Sequence, residues 1–238
     1  MDQADIKLES SDEFFVGESS GTGSIRRSSS SSTSPYVTFT FNGTAYVFTD
    51  VPVIAWFAPY VRDAADRGVV SGYKDAAGIP TGLFGPAKNV SIEELAKMAI
   101  ESAKINLGSC GGTLKNAAAQ TSWSVSYIRC TEQRNFAVYA DGTVDIARPA
   151  TRAEVVMTVL QAFGVALRDS PPPGITMKDV NASTLFSSAI FTALADGIVS
   201  GDSDAAGNPA GTFRPGSPVN RAEVSKIVSL ALQVYGQR

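Results

Sequence analysis

The sequence predicts a mainly α fold: three tandem helix–loop–helix copies whose second helices meet in a central bundle, preceded by a short β-hairpin and a flexible N-terminal tail. Three observations carry this. The chain aligns with itself at one fixed offset, a Thr/Asn-Arg-Ala-Glu signature opens apolar stretches of helical period, and an Asn-Gly pair sits between two alternating segments.

Residues 1–35 are rich in Ser, Gly and charge, with the run Ser28 to Ser32, and hold little apolar material to offset the entropy of ordering. They read as a tail or linker. In residues 36–49, Val37-Thr38-Phe39-Thr40-Phe41 and Thr44-Ala45-Tyr46-Val47-Phe48 alternate about Asn42-Gly43, which predicts a hairpin. Two strands alone are marginal, so the aromatic face needs a partner, either the helical body or a strand of another chain.

A shift of 129 positions places Asp50-Val51 on Asp179-Val180, Gly68 on Gly197, Ser71-Gly72 on Ser200-Gly201, and Asp75 to Gly78 on Asp204 to Gly207. It continues without a gap through Phe84, Pro86, Val90, Glu94 and Lys97, which fall on Phe213, Pro215, Val219, Glu223 and Lys226. A looser copy lies between: Trp123, Tyr127 and Ile128 keep the spacing of Trp56, Tyr60 and Val61, and Thr151-Arg152-Ala153-Glu154 matches Asn220-Arg221-Ala222-Glu223. The predicted copies span residues 48–107, 108–168 and 169–238, with Pro171-Pro172-Pro173 as a stiff connector before the last.

In the first copy Phe57, Val61, Ala64 and Gly68 mark one face of a first helix, and a Gly/Pro-rich loop leads to a second helix after Ser91. In the last copy Val224, Ile227, Val228, Ala231 and Val234 form an apolar stripe of period near 3.6. Thr151 with Glu154, Asn220 with Glu223, and Ser91 with Glu94 each have the spacing of a capping box.

Composition narrows the function. A net charge of −3 gives no basic field for nucleic acid, and no stretch approaches the ~20 apolar residues of a membrane span. Met1 to Asp5 lack the regions of a signal peptide. The absence of histidine removes the commonest general base and metal ligand, and the acidic residues repeat with the fold instead of forming one unique pair, so no enzyme and no cofactor are expected. The loop Asp202 to Asn208 superficially resembles a calcium loop but lacks its spaced acids and closing glutamate; an Asp/Gly turn accounts for it and no metal is expected. Cys110 and Cys130 suit a disulfide if the chain reaches an oxidising compartment; two buried thiols are the alternative.

Taken together, Phe48-Thr49-Asp50-Val51, Trp56, Gly68-Val69, Gly72-Tyr73, Phe84-Gly85-Pro86 and the two Arg-Ala-Glu sites resemble the bacterial S-layer homology (SLH) domain family over residues 48 to about 236. The resemblance implies a pseudo-threefold three-repeat domain. It also implies a non-catalytic, exported cell-wall module that anchors a protein to the bacterial surface by binding secondary cell-wall polysaccharide in grooves between repeats. In many members that glycan is anionic and carries a pyruvate ketal. The alternative is a self-assembling subunit of a surface layer or appendage, with the hairpin edge adding to a neighbouring strand or to other envelope proteins.

Each candidate ligand residue also has a purely structural reading. Arg152 and Arg221, at the start of a helix, are read as pointing outward to fork onto a carboxylate, against an intramolecular ion pair. Trp56 and Trp123 either stack on sugar or fill the core, and Leu185 at the same place in the last copy favours packing. Asp50 and Asp179 either cap the turn into the first helix or, by resemblance, line a groove wall. Gly72 and Gly201 supply positive φ and, by resemblance, let sugar approach the backbone, with Tyr73 as a groove aromatic. Asp202 replaces that tyrosine in the last copy, and Ile92 replaces the arginine in the first.

Overall fold

The computed structural model describes residues 34–236, so the tail expected over residues 1–35 lies outside the described residues except for its last two. Strands β1 (Tyr36–Phe41) and β2 (Thr44–Pro52) pair antiparallel, with Phe39 opposite Tyr46 and Phe41 opposite Thr44. Asn42 (φ 48°) and Gly43 (φ 76°) both take the left-handed region, which gives a two-residue turn the twist its strands need. Of the two partners open to the aromatic face, the chain uses its own body. Val37, Phe39 and Phe48 are buried, the Phe39 and Phe48 rings stack at 4.1 Å, and Phe48 meets Phe84 at 5.4 Å.

Among the described residues six α-helices follow: α1 (Ala58–Asp66), α2 (Ile92–Ser102), α3 (Val125–Gln133), α4 (Arg152–Ala162), α5 (Ser187–Ala195) and α6 (Arg221–Tyr235). Helices α2, α4 and α6 begin with the capping boxes expected at Ser91, Thr151 and Asn220. In each the side chain accepts the N–H of the third helical residue while that residue's glutamate accepts the N–H of the cap. Each cap contributes about 1 kcal/mol and fixes where its helix starts. Helices α1, α3 and α5 have no side-chain cap and take their position from packing.

The three capped helices meet at a closed ring of backbone hydrogen bonds. Val90 donates to Val219 (3.0 Å), Val219 to Ala150 (3.2 Å) and Ala150 to Val90 (2.8 Å). Beside the ring, Ile92 donates to Arg148, Arg152 to Ser217 and Arg221 to Lys88, so each helix start is tied to the loop of a neighbour. Below it, Ile92, Leu95, Val155, Val159, Val224 and Val228 are fully buried where α2, α4 and α6 converge. Truncating a residue such as Leu95 to alanine in this core costs about 2–5 kcal/mol.

The outer helices do not pack on the helix that follows them. Helix α3 lies on α2, α5 on α4, and α1 on α6, so the last helix is closed onto the first. Ser229 donates to Asp63 (2.6 Å) between α6 and α1, and the Tyr127 hydroxyl to Glu101 (2.7 Å) between α3 and α2. Cys110 and Cys130 are joined by a disulfide, which fastens the irregular segment before α3, with its 3-10 turns at Leu107–Ser109 and Ala117–Thr121, to the helix itself.

One detail of the stripe on α6 differs from expectation. Val224, Ile227, Val228 and Ala231 are buried, but Val234 is exposed and the stripe ends on Leu232 and Tyr235 instead. A step of 3.6 residues from Val224 arrives at Val228, Ala231 and Tyr235, and Val234 falls one position short of that line.

Candidate functional site

Two cavities open where an outer helix meets the start of an inner one. The Trp123 cavity, about 600 Å³, lies between the start of α3 and α2 and is lined by Gly72, Tyr73, Lys97, Trp123 and Arg221. The Trp56 cavity, about 890 Å³, lies between the start of α1 and α6 and is lined by Trp56, Arg152, Gly201, Asp202 and Lys226. Gly72 and Gly201, Tyr73 and Asp202, and Lys97 and Lys226 are pairs under the 129-residue offset, so the same backbone builds both.

Of the nine candidate ligand residues, seven line these cavities. Trp56 and Trp123 are 57% and 56% exposed, which removes the core-packing reading, and Leu185 at the same place before α5 is 67% exposed, so it gives no support to packing either. An indole held open at a cavity mouth suits the apolar C–H face of a sugar. Gly72 (φ 67°) needs its missing side chain twice over: a Cβ there would sit 2.6 Å from the Leu83 carbonyl oxygen and 2.7 Å from Phe48. Gly201 is enclosed in the same way by Met177 and the Thr212 carbonyl.

The arginines do not point outward. Arg221 is 7% exposed; its Nε donates to the Phe84 carbonyl (2.8 Å), its Nη1 to Glu94 (2.7 Å), and its guanidinium lies between the Tyr73 and Phe84 rings. The cause is the backbone tie of Arg221 to Lys88, which turns the first residue of α6 into the neighbouring loop. Arg152 occupies the matching place less tightly. It lies over the Phe213 ring, its Nη1 is 3.5 Å from Glu223, and its buried Nε has no partner among the described residues. Burial pulls its pKa below the ordinary arginine value, and Glu223 and Asp202 offset this only in part.

Asp50 and Asp179 stand outside both cavities, and neither caps a helix. Asp50 accepts the N–H groups of Phe84 (2.8 Å) and Gly85 (2.7 Å), and Asp179 those of Phe213 and Arg214. They clip the segment before the outer helix to the loop before the inner one. A carboxylate has the lone pairs to accept two divergent N–H groups, and this pairing differs from both the cap and the groove-wall reading.

Several residues with a role here were not singled out from sequence. Asn116, buried, does the work of Asp50 in the middle unit by donating to the Val144 carbonyl (2.8 Å) and accepting from Ala119 (3.2 Å). Its signal was positional: Val144 precedes Thr151 by the same interval that separates Phe84 from Ser91. Lys97 follows the capping glutamate by three residues, one helical turn toward the cavity. Burial, followed by the nearby charge of Lys74, lowers its pKa.

Where Ile92 replaces arginine the third meeting point is built differently. Ile92 is fully buried, and Arg148, six residues before Glu154, forks onto it at 2.5 and 2.9 Å. Burial alone would raise the Glu154 carboxyl, but the Arg148 fork and the Thr151 bonds hold it below the usual range. In the loop after α5 the Asp204 carboxylate accepts the N–H groups of Ala206 and Asn208, as an Asp/Gly turn requires. Asp202 is forked by Arg214 at 2.8 and 2.7 Å.

Two segments, residues 47–96 and 176–225, match the family model of the S-layer homology domain. They are separated by the same 129-residue offset at both ends, and they contain α1 with the start of α2, and α5 with the start of α6. The SLH domain is a non-catalytic binding module that generally anchors surface proteins to the cell wall. No curated protein matches the chain. Each SLH segment supplies the glycine wall of one cavity, and Arg152 and Trp123 come from the stretch between the two. Among the described residues no helix is long and apolar enough to cross a membrane.

Proposed function

We propose that the chain is an exported anchoring module of the bacterial cell surface that binds anionic secondary cell-wall polysaccharide in its two cavities. In this reading the middle stretch is a third SLH repeat and the body is pseudo-threefold, with repeats over residues 48–107, 108–168 and 169–238. The ring formed by Val90, Ala150 and Val219 and the cyclic order of helix packing support it.

The observation that carries the binding function is that each cavity draws its parts from three units: a glycine-walled loop from one, an exposed indole from the next, and a buried guanidinium from the remaining one. Nothing in the folding of any single unit requires an indole at each mouth. Apolar ring, guanidinium and open backbone suit the C–H face, acidic group and hydroxyls of a charged sugar.

Co-sedimentation with purified cell-wall sacculi tests it. The wild-type chain is expected to pellet, and a Trp56→Ala, Trp123→Ala double variant that keeps its circular dichroism spectrum is expected to stay in solution. Equal pelleting of the two would exclude these cavities. The alternative, a self-assembling surface subunit, loses the aromatic face of the hairpin, which is buried on the chain's own body.

A further inference from the structure

The two cavities share a backbone plan but not the same side chains, and one coupled exchange separates them. In the Trp123 cavity Tyr73 faces Gly85, and a Cβ on Gly85 would stand 2.7 Å from the Tyr73 ring. In the Trp56 cavity the same two positions hold Asp202 and Arg214, which fork onto each other. The glycine makes room for the ring in one case, and the arginine takes up the carboxylate in the other. Arg214 even keeps the left-handed backbone of Gly85, with φ 57° against 72°.

The exchange governs how firmly each cavity's arginine is held. Tyr73 closes over Arg221 at 5.0 Å while Phe84 supports it at 4.9 Å, and the guanidinium so clamped makes bonds of 2.8 Å and 2.7 Å to protein acceptors. Arg152 has Phe213 on one side at 4.9 Å, but no tyrosine covers the other, and Asp202 is already occupied by Arg214 and Thr212. Arg152 is left with one contact at 3.5 Å, and its buried Nε has no partner among the described residues. A desolvated guanidinium short of acceptors gains most from an incoming carboxylate. Formal charge does not distinguish the sites, since each is lined by three cations and two carboxylates: Lys74, Lys97 and Arg221 with Glu93 and Glu94, against Arg152, Arg214 and Lys226 with Asp202 and Glu223. Glu93 is engaged by the hydroxyls of Ser122 (2.6 Å) and Ser124 (2.8 Å).

We infer that the Tyr73–Gly85 and Asp202–Arg214 pairs are specificity determinants, which make the Trp56 cavity the site for the acidic residue of a glycan and the Trp123 cavity a site for a neutral one. This rests on the glycan-binding reading above.

The chain has two tryptophans, one per cavity, so the two indole N–H signals in a ¹⁵N–¹H correlation spectrum report each site separately. The full chain is titrated with an acidic oligosaccharide released from a bacterial cell wall, and with the same oligosaccharide after reduction of its carboxylates to alcohols. The acidic probe is expected to half-saturate the Trp56 signal at a concentration at least tenfold below that for Trp123, and reduction to abolish the difference. The double variant Asp202→Tyr with Arg214→Gly should remove the tenfold preference, and Tyr73→Asp with Gly85→Arg should confer it on the Trp123 signal; the untouched indole reports that each variant is folded. Joint titration of both signals by the acidic probe, or a Trp123 preference, overturns the inference while leaving glycan binding intact. If neither signal moves with either probe, the binding function falls as well.

Discussion

Arg221 places its Nη1 2.7 Å from the Oε1 of Glu94, joining the first turn of α6 to the capping box of α2 across 127 residues of chain. The same arginine donates to the Phe84 carbonyl, so one side chain holds a helix start, a loop and a neighbouring unit in register.

Removing it leaves a buried carbonyl without its donor and Glu94 without its counter-charge. Arg221→Ala is expected to lower the unfolding free energy in urea by about 3 kcal/mol, and Arg221→Lys to recover little, because an ammonium cannot keep both bonds and stack between two rings. Arg152→Ala, at the loosely held position, is expected to cost about 1 kcal/mol or less. Similar losses for the two alanine variants would contradict the contrast in their hydrogen bonding.

Glycines that share the left-handed region should differ in what they tolerate. At Gly78 (φ 79°) a Cβ meets nothing within 4 Å, so alanine there carries only backbone strain, about 1 kcal/mol. At Gly72 the strain is joined by overlap with Leu83 and Phe48, and a loss of about 3 kcal/mol or more in thermal unfolding is expected.

Glu154 makes stability depend on pH. Its carboxyl is held below its usual value in the folded chain, so its contribution is fully present above the unfolded glutamate value near 4.3 and is lost as pH falls through the folded value. Unfolding free energies measured between pH 6 and pH 3 should fall less steeply for Arg148→Ala than for wild type. A parallel decline would show that the fork does not hold the carboxyl down.

Reduction of Cys110–Cys130, a pair separated by 20 positions in sequence, should cost roughly 3 kcal/mol. Hydrogen exchange is expected to rise first in the segment before α3 and in α3, while amides of the Val90, Ala150 and Val219 ring stay protected.

The capping boxes, the Asn42-Gly43 hairpin and the inner helices could be read directly because each is written in neighbouring residues: a hydroxyl or amide three places before a glutamate, two turn formers, a stripe of period 3.6. The state of the cavity residues could not. Arg152 and Arg221 share a local sequence, Arg-Ala-Glu-Val, yet Arg221 is clamped and Arg152 is short of acceptors, because the deciding partners are Tyr73 and Asp202, 148 and 50 residues away. The exposure of Trp56 and Trp123 was left open for the same reason: nothing beside an indole in the chain tells whether a neighbouring unit covers it. Asp50 was read as either a cap or a groove wall, because its actual donors lie 34 and 35 residues on and cannot be seen from its neighbours.

The hydrogen-bonded ring of Val90, Ala150 and Val219 bears on how such a chain is made. Each member closes only when the other two have arrived, and the last, Val219, comes 129 residues after the first. A growing chain therefore carries an incomplete ring, and half-built cavities, until Val219 and α6 have emerged. Both cavities take lining residues from α6, so they are completed together and only once that helix is in place.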